Sequence, residues 1–137
     1  MESDELAPID GEIVPMGEPA EIYNPVSIEQ AIRDCANRIA KGVRICNSRY
    51  KEFLEADHAY ELAFARAWVA DDGAANAKKY VCEVATETER QARDVADAAY
   101  RFADRQAKAL ESELRAWQSV GASVRQAYAT AGRGEGA

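Results

Sequence analysis

The position of the prolines constrains this fold most. All four, Pro8, Pro15, Pro19 and Pro25, precede residue 26, and the 112 residues from Val26 onward contain none. Proline inside a helix removes a backbone hydrogen bond and clashes with the preceding turn, so a long stretch without proline permits long helices. That stretch is also rich in the strong helix formers Ala, Arg, Glu, Gln and Lys. The sequence therefore predicts an all-α domain.

The segment before this domain differs in charge. Residues 1–29 carry eight acids and no Lys or Arg, whereas the whole chain has 24 acids and 17 bases, so the rest of the chain has a net charge of about +1. Pro and Gly are interleaved with these acids, and few large apolar groups are present to offset the entropy of ordering. We expect residues 1–26 to form a disordered acidic arm, residues 27–131 the helical domain and residues 132–137 a disordered tail.

A first helix of about 44 residues is predicted from Ser27. Ser27 can act as the N-cap with Gln30 completing a capping box, and Gly73 suits a left-handed C-terminal cap. Gly42 and the pair Asn47-Ser48 are the expected weak points. Apolar or small residues recur in steps of four and three, a heptad-like seam with Asp57 as its one break. The seam residues are Ile28, Ile32, Cys35, Ile39, Val43, Cys46, Tyr50, Phe53, Tyr60, Phe64 and Ala67.

A second helix is predicted from Thr86 to about residue 130, with Glu89 completing another capping box. The connector, residues 73–85, is compatible with helix or extended chain. Gly121 permits a bend or a close helix contact. The seam of this helix comprises Val95, Ala99, Phe102, Gln106, Ala109 or Leu110, Leu114, Trp117, Val120, Val124 and Tyr128.

Two helices of this length with a short connector predict an antiparallel hairpin. A single narrow seam would leave many aromatic side chains in water, so we also predict a helical homo-oligomer. The alternative is a compact monomeric bundle, with the helices broken at Gly42, Asn47 and Gly121. The residues assigned to the oligomer seam are Tyr60, Phe64, Trp68, Phe102, Trp117, Val124 and Tyr128.

The sequence lacks the usual signatures of catalysis. Gly-rich phosphate loops and Cys/His or carboxylate constellations are absent. Cys35, Cys46 and Cys82 have no C-x-x-C spacing and read as buried packing residues, and the single histidine, His58, reads as a solvated helix residue. We expect no enzyme activity, cofactor or metal. Without an export signal or a long apolar run, we expect a cytoplasmic protein that does not enter membranes.

The first helix carries a row of cations. Between residues 33 and 51 there are six bases and one acid, Asp34, a net charge of +5. At about 100° per residue these bases fall within an arc of about 160°, opposite the seam, and Arg66 projects into the same arc. Such a row can contact a phosphate backbone; alternatively it is a solvated face that pairs with acids of the second helix, such as Glu87, Glu89, Asp94 and Asp97. The candidate nucleic-acid contacts are Arg66, Lys78, Lys79, Lys41, Arg44, Arg33 and Arg49.

Two segments resemble the UvsY-like family of phage recombination mediators over about residues 28–131. Residues 62–68, Leu-Ala-Phe-Ala-Arg-Ala-Trp, precede Asp-Asp-Gly at 71–73, and residues 114–117, Leu-Arg-Ala-Trp, lead through Gly121 to Arg-Gln-Ala-Tyr at 125–128. In this resemblance Arg66 occupies the place of a DNA-contact arginine, and Phe64 replaces a second cation. The resemblance implies a ring-like homo-oligomer that binds single-stranded DNA and helps a RecA-type recombinase replace single-strand binding protein.

Two other functions fit the sequence. A phage helical scaffold, assembly chaperone or host-takeover protein would bind only protein, with apolar residues of the acidic arm as short-motif anchors. A small secreted helical hairpin is the weaker alternative, because neither an export signal nor a disulfide framework is visible. If the arm competes with DNA for the basic face, we expect its deletion to tighten DNA binding.

Overall fold

The computed structural model describes residues 24–134, and within this range the chain is helical except at Asn24, residues 71–74 and Thr86. The helices are α1, Pro25–Ala70, α2, Ala75–Ala85, and α3, Glu87–Gly134; no strand occurs among the described residues. The all-α prediction is confirmed. The predicted disorder of residues 1–23 and 135–137 lies outside the described residues. Residues 24–26 and 132–134 belong to α1, its cap or α3, so the predicted arm and tail were each too long by about three residues.

The N-terminus of α1 differs from the prediction. Asn24, in an extended conformation, is the N-cap, and its side-chain oxygen accepts a 2.8 Å hydrogen bond from the backbone N–H of Ser27. Pro25 is the first helical residue, where its fixed φ fits and its missing N–H costs nothing. Gln30 donates to Asp34 at 2.8 Å instead of closing a capping box. The predicted Ser27–Gln30 cap was therefore wrong.

Helix α1 runs for 46 residues, about 69 Å, without interruption. It stays helical through Gly42 and through Asn47-Ser48, so the expected weak points do not break it. It ends at Asp71, whose backbone N–H donates to the carbonyl of Ala67. Gly73 does not have a positive φ, and the predicted left-handed cap was wrong because Asp71, in an extended conformation, already ends the helix.

The connector contains a helix of its own. Helix α2 packs against α1 and is held to α3 by Thr86, which lies at the junction and is buried. The Thr86 hydroxyl donates a 2.7 Å hydrogen bond to the carbonyl of Cys82, one of the fully buried residues. The predicted capping box between Thr86 and Glu89 was wrong, because this hydroxyl closes α2 instead of opening α3.

Helices α1 and α3 form the predicted antiparallel hairpin. Pairs of residues that contact across it have numbers that sum to between 145 and 153. Because this sum changes little along the hairpin, the two helices run in opposite directions and keep the same register over most of their length. The contacting pairs are Ile28 with Gly121, Cys35 with Leu110, Arg38 with Glu113, Gly42 with Leu110, Tyr50 with Tyr100, and Tyr60 with Arg93.

The seam of α3 lies one residue away from the prediction over its first half. Val95 and Phe102 are 70% and 62% exposed, and Gln106 and Ala109 are also exposed. Eleven of the less exposed positions follow steps of four and three from residue 89 to residue 124, the spacing of a two-helix seam. They are Glu89, Arg93, Ala96, Tyr100, Ala103, Ala107, Leu110, Leu114, Trp117, Gly121 and Val124.

The seam of α1 differs at one position. Gly42 turns toward α3, with Leu110 as its nearest neighbour, and Val43 is 61% exposed. On α3, Gly121 is buried against Ile28 and leaves the helix continuous, so it provides a close contact and no break. The hairpin buries few side chains completely. The largest fully buried side chains in the described range are those of Ile28, Cys35, Cys82 and Thr86.

Candidate nucleic-acid interface

The basic face of α1 is open to solvent. Its six bases, Arg33, Arg38, Lys41, Arg44, Arg49 and Lys51, are all exposed. Arg38 reaches Glu113 of α3 at 3.4 Å, and Arg49 pairs with Glu52 of its own helix at 3.1 Å. Within residues 24–134 the other four form no ion pair.

Three of the four acids proposed to neutralise this face have partners on their own helix. Asp97 pairs with Arg101 at 2.9 Å, and Asp94 pairs with the adjacent Arg93. Glu87 accepts a hydrogen bond from Gln91. These partners all belong to α3. Asp97 and Glu87 each meet a residue four positions along the same helix, where side chains are neighbours. Arg38–Glu113 is the only ion pair between the two long helices in the described range.

The antiparallel pairing divides the hairpin by charge. We call residues 24–51 and 99–134 the open end, because they lie side by side and contain both termini of the hairpin, and residues 52–98 the tip. The open end has 12 bases and five acids, a net charge of +7. The tip has five bases and 11 acids, a net charge of −6. A polyanion would therefore be attracted to the open end and repelled by the tip.

The candidate DNA contacts fall into two groups. Arg33, Lys41, Arg44 and Arg49 lie on the open end, whereas Arg66, Lys78 and Lys79 lie on the tip. Along α1, Lys41 and Arg66 are about 38 Å apart at 1.5 Å per residue. The structure therefore does not bring the seven residues together into one local site.

The three tip cations already have neighbours or lie among acids. The ammonium of Lys78 sits 5.3 Å from the centre of the Trp68 ring, and Lys79 lies 3.8 Å from Glu83. Arg66 is exposed on α1 and forms no ion pair with the described residues. The repulsive field of the surrounding tip makes these cations weaker candidates than those of the open end.

The residues assigned to the oligomer seam have different environments. Tyr60, Phe64, Trp117 and Val124 are half-buried within the hairpin, and Trp68 is stacked on Phe64 with ring centres 6.1 Å apart. Phe102 and Tyr128 are the most exposed members of the set. Phe102 is exposed and lies far from the short helix α2, so its ring can contact another molecule.

The cysteines act chiefly as packing residues. Cys35 and Cys82 are buried, as expected, and Cys46 is half-buried. The Cys35 thiol donates a hydrogen bond to the carbonyl of Leu110 at 3.3 Å. Burial raises the pKa of this thiol, and the nearby Glu113 raises it further, against a smaller opposite effect of Arg38. A raised thiol pKa disfavours the nucleophilic thiolate.

The described residues show no other assembly of reactive groups. Between residues 24 and 134, no cluster of three or more His, Cys, Asp or Glu side chains is placed to hold a metal ion. In the same range, none of the helices has the length and apolar character required to cross a bilayer. The chain matches no protein-family model, no curated protein and no solved structure.

Sequence reasoning missed one surface, the flank of α3 that carries Val95 and Phe102. These residues were assigned to the seam because they also recur every seven residues. The residues that face α1 over the same stretch include Ala96, Ala103 and Ala107, which let α1 approach closely but contribute little to an apolar pattern. Since Ala99 and Ala109 lie on the other stripe, residue size alone does not separate the two.

Proposed function

We propose that this protein is a non-enzymatic, single-stranded DNA-binding recombination mediator that contacts the phosphate backbone through the open end of its hairpin. The observation that supports DNA binding is the row of four exposed cations on α1 that form no ion pair with residues 24–134, namely Arg33, Lys41, Arg44 and Lys51. Cations spaced along a straight helix can follow a polyanion and gain affinity from counterion release without reading bases.

The role as a mediator rests on the resemblance to UvsY-like proteins. In this proposal the hairpin holds single-stranded DNA so that a RecA-type recombinase can replace single-strand binding protein on it. Contacts spread over a long helix suit this role, because they can be released one at a time as the recombinase advances. Cytoplasmic localisation is part of the same proposal.

Charge reversal tests the position of the DNA contact. We expect the double variant Arg33→Glu/Arg44→Glu to weaken binding of a fluorescent single-stranded oligonucleotide by at least about tenfold, since two attractive contacts become repulsive. The matched control is Lys78→Glu/Lys79→Glu, which makes the same charge change on the tip and should weaken binding far less. Equal losses in both variants would contradict the assignment of the site to the open end.

The second candidate is a helical scaffold, assembly chaperone or host-takeover protein that binds only other proteins. The exposed apolar flank of α3 favours it. The two functions separate when recombinase loading is followed on oligonucleotides coated with single-strand binding protein. A mediator accelerates loading, and its Arg33→Glu/Arg44→Glu variant does not. A protein-only scaffold has no effect in either form.

A further inference from the structure

One flank of α3 is uncharged over most of the helix. Val95, Phe102, Ala109 and Ala116 recur every seven residues, and Ala99, Gln106, Glu113 and Val120 lie four residues after each of them. Glu113 is the single charged residue among these eight, and it is held by Arg38. A stripe of eight positions with one charge, already paired, is unusual on an exposed helix whose sequence is otherwise highly charged.

The opposite flank of α3 has the reverse character. Asp97 pairs with Arg101, and Asp104 pairs with Lys108 at 2.8 Å, both four residues apart. Such pairs satisfy charges at the helix surface in contact with water. The charged flank of α3 is therefore suited to contact with water, and the uncharged flank is suited to contact with an apolar surface.

Helix α1 completes the uncharged flank as one face of the hairpin. Arg38, Lys41 and Ile45 line a groove together with Gln106 and Ala109 of α3. Since residues seven apart share a side of a coiled-coil helix, Glu55 lies on the same side as Lys41. Lys41 and Glu55 are exposed and form no ion pair with the described residues.

Opposite charges on this face lie at equal distances on either side of one point along the hairpin. The cross-helix register places Phe102 level with Ser48, because their numbers sum to 150, as those of Tyr50 and Tyr100 do. Lys41 and Glu55 lie seven residues before and seven residues after Ser48. The positive open end and the negative tip also meet close to this level.

We propose that this face binds a second copy of the same chain, in an antiparallel dimer of hairpins whose two-fold axis crosses the long axis at Phe102 and Ser48. The open end of each copy then lies on the tip of the other. Phe102 meets Phe102 of the second copy, and Val95 lies opposite Ala109 of the second copy, a large residue against a small one. Lys41 lies opposite Glu55 of the second copy, and the symmetry generates this pair twice.

The apolar contact is tested by Phe102→Glu, with Val43→Glu as the control. The two side chains have nearly equal exposure, 62% and 61%. Val43, however, is on the opposite flank of α1 from the groove residues Lys41 and Ile45. Sedimentation equilibrium of the full chain without DNA should show a dimer. Phe102→Glu should raise the dimer Kd at least about a hundredfold, because it buries charge. Val43→Glu should change the Kd by less than about twofold.

The antiparallel register is tested by exchanging charges. Lys41→Glu and Glu55→Lys should each raise the dimer Kd about tenfold, because each places like charges opposite one another twice. An equimolar mixture of these two variants should recover the affinity of the original chain, since each glutamate of one copy then faces a lysine of the other. In a parallel dimer residues 41 and 55 do not meet, so the absence of recovery would overturn the proposed register.

This inference does not depend on DNA binding. A monomer at all accessible concentrations, or a larger ring whose mass is insensitive to Phe102→Glu, would overturn it whether or not the protein binds oligonucleotide. Helical content by circular dichroism shows that each variant is folded. A dimer that fails to bind oligonucleotide would contradict the proposed function and leave the interface intact.

Discussion

Two glycines within the long helices have different surroundings. A Cβ atom added at Gly42 would lie 4.0 Å from the Leu110 side chain, an ordinary contact. A Cβ atom added at Gly121 would lie 3.2 Å from Ile28 Cγ2, closer than side chains normally pack. Both residues have helical backbone conformations without positive φ. Packing, and not backbone freedom, distinguishes the two sites.

Alanine at these positions should therefore have different effects. Gly42→Ala should stabilise the protein by about 1 kcal/mol, the gain in helix propensity. Gly121→Ala has the same gain but must displace Ile28, so we expect it to be less stable than Gly42→Ala by about 1 kcal/mol. Urea unfolding followed by circular dichroism measures both. Equal stabilisation in the two variants would show that the contact at Gly121 is not tight.

The cysteines should label in a definite order. Burial and the neighbouring Glu113 raise the pKa of the Cys35 thiol, so at any pH below that value less thiolate is present than on an ordinary cysteine. Cys46 is the most accessible of the three. We expect a thiol reagent at neutral pH to modify Cys46 first, and Cys35 and Cys82 only in denaturant.

Replacing Cys46 with serine is the control for the labelling experiment. This variant should not be labelled in the native protein, and in denaturant it should be labelled at Cys35 and Cys82. Rapid labelling of Cys35 in the native protein would mean that α1 and α3 separate readily at this level.

At the scale of elements, the junction between α2 and α3 depends on one hydroxyl. Thr86→Val keeps the shape of the buried side chain but removes its hydrogen bond to Cys82, and should cost about 1 kcal/mol. Thr88→Val is the matched control, because Thr88 is exposed on the next turn. Unfolding free energies of the two variants should differ by most of that amount. Equal values would show that the hydrogen bond contributes little to the junction.

The existence of the two long helices and their antiparallel pairing could be predicted from the sequence. The absence of proline after residue 25 and the steps of four and three carry that information. The cap at Asn24 was also accessible, since Asn followed by Pro is a common N-cap and first helical residue. The connector remained ambiguous because its helix is held by tertiary contacts of Cys82 and Thr86, which have no local signature.

The choice between the two stripes of α3 could not be made from the sequence. Val95 and Phe102 are large and periodic, whereas the residues that face α1 over the same stretch include Ala96, Ala103 and Ala107. A pattern of hydrophobicity favours the larger residues, but a close helix pair favours the smaller ones. The candidate cations were found from local charge, although their division between a positive and a negative end follows only from the pairing of distant segments.

At the scale of the whole molecule, the acidic arm is joined to the hairpin at its most basic end. Residues 1–23 carry seven acids and no base, and they precede Asn24 on the open end of net charge +7. Deleting residues 1–23 should tighten binding of single-stranded DNA several-fold, because the arm and the DNA compete for the same cations. The deletion should stop before Asn24 and Pro25, which begin α1.

Neutralising the arm distinguishes charge from bulk. Replacing its seven acids with Asn or Gln keeps its length and should reproduce most of the gain seen on deletion. If neither variant binds DNA more tightly than the full chain, the arm does not act on the basic face, and a role in binding another protein becomes the better explanation.

The central claim is that the open end binds a phosphate backbone, and the salt dependence of oligonucleotide binding tests it most directly. Three α1 cations, Arg33, Arg44 and Lys51, have no ion pair among residues 24–134 and no partner in the proposed dimer. If each contacts one phosphate, the logarithm of the association constant should fall with the logarithm of salt concentration with a slope of about −2. The full chain and a fluorescent single-stranded oligonucleotide are sufficient for the measurement. Absence of binding, or binding that does not change with salt, would contradict the claim.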